Sequence, residues 1–166
     1  MSLLLPDLML SSVFDVTPEL LERYHKKAIL LDVDNTLTTY GHPEPASGVR
    51  EWIEQMRAKG IPMVIVSNNT NKRVAPFAKL LGLDYEYWSF KPLPKGIRRA
   101  CRKLGCSAGE VAIVGDQIFT DVLGGNLAGA MTILVEPFVL EQSRLFKLRR
   151  RLEKRHIERY KRLHGG

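Results

Sequence analysis

Four short runs of unbroken apolar character constrain this chain more than any other feature: AILLDV at 28–33, PMVIV at 62–66, VAIV at 111–114 and MTILV at 131–135. None alternates apolar with polar residues. Each is therefore expected to be covered on both faces, as strands of a parallel sheet are. A shorter run, YEYW at 85–88, reads as a further strand. The stretches between have helical spacing. Val49, Trp52, Ile53 and Met56 share one face of a helix that Gly60 closes. Further helices are predicted over 72–81, 96–104 and 119–128, the first two ended by Gly82 and Gly105. Thr17-Pro18-Glu19 reads as cap, first helical position and first-turn acid of a short helix to about Tyr24. Strands alternating with helices predict an α/β three-layer sandwich, a Rossmannoid sheet of five parallel strands with right-handed crossovers. Its chemistry should lie beyond the carboxyl ends of the strands.

The chain has 166 residues, one domain's worth, and needs no disulfide or metal staple to fold. Cys101 and Cys106 are too few for a disulfide framework, and the four scattered histidines form no zinc pattern. The apolar N-terminus, MSLLLPDLML, lacks a basic lead and carries Pro6 and Asp7, so no signal peptide is expected. The expected compartment is the cytoplasm. No apolar run approaches the roughly 18 residues of a spanning helix. Neither GxxxxGK[ST] nor GxGxxG after a strand is present, which excludes a P-loop or dinucleotide site.

Polar residues collect where the strands end. The first is followed by Asp32, Asp34, Asn35 and Thr36, the second by Ser67, Asn68 and Asn69, the third by Lys91-Pro92, and the fourth by Gly115-Asp116 with Asp121 beyond. Each alone is an ordinary cap, turn or surface residue. Together they converge acids, hydroxyl and amide donors and one lysine on one sheet edge. Clustered carboxylates repel unless a cation neutralises them, and oxygen ligands suit Mg²⁺. A phospho-accepting receiver domain also uses acids, a hydroxyl and a lysine, but its acceptor follows the third strand and lacks a second acid two residues on.

DxDxT, Ser/Asn, Lys-Pro and GDxxxxD in this order resemble the haloacid dehalogenase (HAD) superfamily of phosphatases over about residues 28–135. VFDVTP, LLDVDNTL, VSNN, VGDQIFTDVLGGN and the basic tail together resemble the YqeG group of its class IIIA. That group is similar to the mitochondrial phosphatidylglycerophosphate phosphatases. The resemblance implies Asp32 as nucleophile and Asp34 as general acid/base. It implies Ser67, Asn68 and Lys91 as phosphate-binding residues. Mg²⁺ would be held by Asp32, the Asp34 carbonyl and Asp116, with Asp121 behind them. Asn35 and Thr36 are expected to hold the turn. Lys95 is an alternative phosphate ligand, but Lys91 precedes the proline as in the family. Ser89-Phe90 stand before it where a more basic lead-in is usual.

The charge is segregated. Residues 141–166 hold ten Lys/Arg and three acids, and so carry all of the chain's +7; the other 140 residues balance. The expected division is a phosphatase domain over 1–140 and a basic amphipathic helical tail over 141–166. Leu145, Leu148, Leu152, Tyr160 and Leu163 share one helical face; Lys147, Arg150, Arg151, Lys154, Lys161 and Arg162 share the other. Such a helix suits the inner face of an anionic membrane, or packs its leucines on the domain. RNA is a lesser candidate, because interleaved aromatics are sparse. Neither inter-motif gap is long enough for a cap domain, so an open site for a large phosphomonoester is expected. Phosphatidylglycerophosphate is the first choice of substrate. A phosphoprotein, a nucleotide or nucleic-acid phosphate, or an RNA-binding role on the same scaffold are the alternatives.

Overall fold

In the computed structural model, residues 2–139 and 143–165 are described. Six strands, β1 (Leu8–Leu10), β2 (Ala28–Leu31), β3 (Met63–Val66), β4 (Asp84–Glu86), β5 (Val111–Gly115) and β6 (Met131–Val135), form one sheet. The order is β1-β6-β5-β2-β3-β4 and every pairing is parallel. The strand beyond the five expected is β1. Its three residues pair with Ile133 to Val135, and Asp7 fastens its start, accepting from the Thr132 N–H at 2.8 Å. The apolar N-terminus is thus a sheet edge.

The helices are α1 (Pro18–Arg23), α2 (Val49–Ala58), α3 (Asn71–Leu81), α4 (Pro94–Leu104), α5 (Leu123–Ala128) and α6 (Arg144–Leu163). Thr17 caps α1 as its sequence predicts, accepting from the Leu20 N–H at 3.2 Å. The helix expected over 119–128 is instead a π-turn, Ile118–Val122, running into the short α5. The strand expected over 85–88 stops at Glu86, because Trp88 turns to a positive φ of 43° and leaves the pleat. The proposed boundary at 140/141 lies outside the described residues.

Both sheet faces are covered. Ile29 and Leu31 point into one core with Trp52, Ile53, Met56 and Phe77; Ala28 and Leu30 point into the other with Ile97, Ala100 and Cys101. This is why β2 is apolar without alternation. Each fully buried aliphatic side chain there is worth about 1.5–3 kcal/mol in transfer from water. Successive strands run outward from β2 toward β4 on one side and β6 on the other. The order therefore reverses at β2, where ligands of open α/β sheets bind.

Candidate active site

Beyond β2 the chain turns sharply: the Thr36 and Leu37 N–H groups both donate to the Val33 carbonyl, at 3.2 and 2.9 Å. Asn35 occupies the left-handed region (φ 57°), which asparagine tolerates better than most residues. The turn sets Asp32 and Asp34 at the mouth of the switch point. They line a cleft of about 400 Å³ with Tyr40, Ser67, Asn68, Asn69, Lys91, Gln117, Phe119, Phe146 and Arg149, among others.

Lys91 is the hub. Its buried Nζ donates to Asp32 Oδ1 at 3.0 Å, to Asp121 Oδ1 at 2.6 Å and to the Val66 carbonyl at 2.8 Å. Burial disfavours the lysine's charge, but Asp121 and Asp32 outweigh it and push its pKa up. Lys95, in contrast, is exposed on α4 and does not line the cleft. Burial, then Asp121, push the Asp32 carboxyl up to about 7, against the pull of Lys91. Asp116 is likewise raised by burial and by its carboxylate neighbours.

Asp34 is held from three sides. It accepts from the Gly41 N–H (2.8 Å), Asn69 Nδ2 (2.6 Å) and Arg73 Nη2 (3.0 Å). Ser67 is buried at the end of β3, where its Oγ accepts from the Asn69 N–H at 3.1 Å. Asn68, also expected to bind phosphate, lines the cleft with its amide turned to the loop of Lys91. Its Oδ1 accepts from Ser89 Oγ (2.9 Å) and the Lys91 N–H (2.7 Å), while Nδ2 donates to the Lys91 carbonyl (2.9 Å). The amide is spent on bracing the loop that carries Lys91. That loop needs bracing, because Trp88 and Phe90 both take positive φ, 43° and 55°, where bulky residues are strained. Gly96 lets the loop lie close: a Cβ there would stand 2.5 Å from the Ser89 carbonyl oxygen.

The carboxylates of Asp32, Asp116 and Asp121 offer oxygens within 4.8 Å of one another. Asp121 has both oxygens engaged, one by Lys91 and one by the Gln117 N–H at 3.2 Å. Asp116 does not: its Oδ1 is buried without a hydrogen-bond partner among the described residues. A buried carboxylate oxygen left bare is costly, and a hard divalent cation satisfies it. The residues present thus fit Mg²⁺, with Asp32 and Asp116 as side-chain ligands. Asp34 stands outside the carboxylate cluster.

The C-terminal helix departs most from expectation. Its leucine face is not the docked one: Leu145 is 70% and Leu148 54% exposed. Instead Arg150, one of the presumed solvent-facing basic residues, reaches into the site. Its Nη2 pairs with Asp116 Oδ2, and its Nη1 donates to the Asp116 carbonyl (2.6 Å) and to Glu153 Oε2 (3.0 Å). The buried Glu153 accepts the Ile118 N–H at 2.8 Å. The end of β5 exposes an acid and an orphan N–H, which leucines cannot satisfy and an Arg/Glu pair can. Phe146 and Arg149 of the same helix wall the cleft, Phe146 meeting Tyr40 edge-to-face at 5.6 Å. Among the described residues no separate cap covers the site, which α6 bounds on one side. Sequence reasoning missed Arg150, Glu153 and Arg73. One available signal was Glu153, the sole acid between residues 144 and 157 of a basic helix.

The chain is similar to known proteins. The haloacid dehalogenase-like hydrolase model matches residues 39–129. The probable phosphatase YqeG of Bacillus subtilis is 38% identical over 95% of this chain and 92% of its own length. The phosphatidylglycerophosphate phosphatase 1 of Arabidopsis thaliana is 29% identical over 86% of this chain, which spans 44% of it. A HAD-superfamily hydrolase from Ehrlichia chaffeensis superposes with a TM-score of 0.59 at 16% identity, over 80% of this chain and 98% of that one, and shares the fold. On the match to the family model and the extent of likeness to YqeG, the chain belongs to the haloacid dehalogenase-like hydrolases.

Proposed function

We propose that the protein is a Mg²⁺-dependent phosphomonoesterase that works through an aspartyl-phosphate on Asp32, with phosphatidylglycerophosphate as its substrate. The carrying observation is the buried cluster behind the cleft: Lys91 on Asp32 and Asp121, beside a bare Asp116 oxygen. Asp32 keeps one oxygen on Lys91 and attacks phosphorus with the other. The P–O bond to the leaving group breaks as Asp34 gives that oxygen a proton. Asp34 then takes a proton from the water that attacks the phosphoryl group, freeing Asp32 and releasing phosphate. Gly41, Asn69 and Arg73 keep Asp34 aimed through both steps. Lys91 and the Ser67 hydroxyl bind the phosphoryl oxygens, whose charge spreads in the transition state. Asp32, Asp116 and the Asp34 carbonyl would hold Mg²⁺, which supplies the further positive charge that keeps Asp32 ionised and neutralises those oxygens.

The lipid substrate rests on surroundings. The half-exposed leucines of α6 stand among Arg144, Lys147 and Arg151, and Trp88, Phe90 and Leu93 are exposed around Lys91. Apolar tips among cations complement an anionic bilayer, each basic residue near the surface adding about 1 kcal/mol. No helix among the described residues is long and apolar enough to cross a membrane. The reading is thus of a peripheral contact. The name of the Arabidopsis relative adds support. The test is phosphate release from phosphatidylglycerophosphate in mixed micelles, with Mg²⁺ and with EDTA, for the wild type and Asp32→Asn. Metal-dependent release that the variant lacks is expected. Turnover of a small aryl phosphate without turnover of the lipid would keep the chemistry and discard the substrate.

A further inference from the structure

We infer that Arg150 and Glu153 are positioning residues for Asp116, so that the docked α6 is part of the metal site rather than an appendage to it. The inference rests on the reading of Asp116 as a cation ligand. Asp116 has two carboxylate oxygens with opposite fates: Oδ2 is held by Arg150, and Oδ1 is bare and buried. Arg150 also grips the Asp116 main-chain carbonyl, at 2.6 Å. A planar guanidinium bound to carboxylate and carbonyl of one residue fixes both the rotamer and the backbone from which it springs. Oδ1 is thereby left free for a cation at the Asp32, Asp116 and Asp121 cluster.

Glu153 makes this arrangement compatible with a dication. An arginine alone beside a metal ligand would repel the metal. Here Glu153 Oε2 lies 3.0 Å from Arg150 Nη1 and offsets its charge. The same carboxylate holds the Ile118 N–H, the first residue of the π-turn that carries Asp121. One acid thus ties the arginine, the helix and the Asp121 turn together. Partners of metal ligands arranged in this way typically change metal affinity 10- to 100-fold when removed.

The competing reading is that Arg150 is a stand-in cation that the metal must displace. The two readings have opposite signs. Mg²⁺ affinity is measured by titration calorimetry on the full chain for wild type, Asp116→Asn, Arg150→Met, Arg150→Lys, Glu153→Gln and the exposed Lys161→Gln. Far-UV circular dichroism confirms the folded state of each. The expected result is a Kd weakened 10- to 100-fold in Arg150→Met, with Lys161→Gln unchanged. Arg150→Lys should be weakened as well, since an ammonium cannot bridge carboxylate, carbonyl and Glu153 at once. Glu153→Gln keeps an acceptor for Ile118 and serves if Arg150→Met does not fold; it should weaken Kd too. Excess Mg²⁺ should restore kcat in these variants with substrate KM unchanged, which a merely loosened structure would not show. Unaltered or tighter Mg²⁺ binding in Arg150→Met overturns the inference. Wild type that binds no Mg²⁺, or Asp116→Asn that binds as well as wild type, removes the ligand reading and the inference with it.

Discussion

The Nζ of Lys91 lies 2.6 Å from Oδ1 of Asp121, and both side chains are only 2% exposed. A charge pair this deep repays its desolvation only while both partners remain. Lys91→Met would strand Asp121 and Asp32 together, at a cost of about 3–5 kcal/mol. At about 2–4 °C per kcal/mol for a chain of this size, the melting temperature should fall by roughly 6–20 °C. Adding Asp121→Asn to Lys91→Met should recover part of the loss. Thermal unfolding of both variants checks this, and additive losses would refute the coupling.

Stability without metal should depend on pH in the direction opposite to that of salt-bridged carboxylates. Asp32, at about 7, and Asp116, also raised, keep protons in the folded chain that an unfolded aspartate gives up near 3.8. The folded state therefore binds more protons between roughly pH 4 and 7, and stability declines as pH rises through that window. In EDTA the melting temperature should be several degrees lower at pH 8 than at pH 5. Mg²⁺ should narrow the gap by stabilising the pH 8 protein more. A flat or rising profile in EDTA would contradict the assignment.

Asn68 should matter through Lys91 rather than through substrate contact. Asn68→Ala removes three hydrogen bonds from the 89–91 loop and should cost about 1–3 kcal/mol. Asn68→Asp keeps both acceptor bonds and loses only the donor to the Lys91 carbonyl, so its loss should be smaller. Steady-state kinetics on an aryl phosphate distinguishes the two roles. A fall in kcat that follows the order Ala below Asp supports bracing; a rise in KM alone supports direct binding.

Gly115 is expected to accept no side chain. A Cβ there would stand 2.2 Å from Asp121 Cγ and 2.6 Å from its Cβ, so Asp121 would be expelled from Lys91. Gly115→Ala should cost more than about 2 kcal/mol and most of the activity. Gly109→Ala, with no atom within 4 Å, is the control and should stay within about 0.5 kcal/mol of wild type. Chemical denaturation of the pair tests the claim.

The central strands were legible because their residues must satisfy two cores at once, and a run such as AILL leaves no other solution. The edges were not. Leu8–Leu10 is too short to carry a period, and its pairing depends on Thr132 meeting Asp7, 125 residues away in sequence. The convergence of Asp32, Asp34, Ser67, Lys91, Asp116 and Asp121 was legible from position, since the parallel sheet delivers all its carboxyl ends to one rim. Arg150 was hidden by periodicity: the leucines of α6 form the more conspicuous stripe, and the lone acid Glu153 is the one local hint that the helix docks by ion pairs. The bracing contacts of Asn68 were not legible, because its partners lie on a loop whose positive φ values no pattern announces.

The parallel pairing of β1 with β6 also orders events in time. Leu8 finds Ile133 only after nearly the whole chain between them has been placed, so this edge closes a very large loop. Met9 then meets Ile157 of α6 over Leu134. A growing polypeptide can assemble β2 through β5 while both its first strand and its last helix still lack partners. Amide exchange should open the β1–α6 seam at lower free energy than the β2–β5 centre.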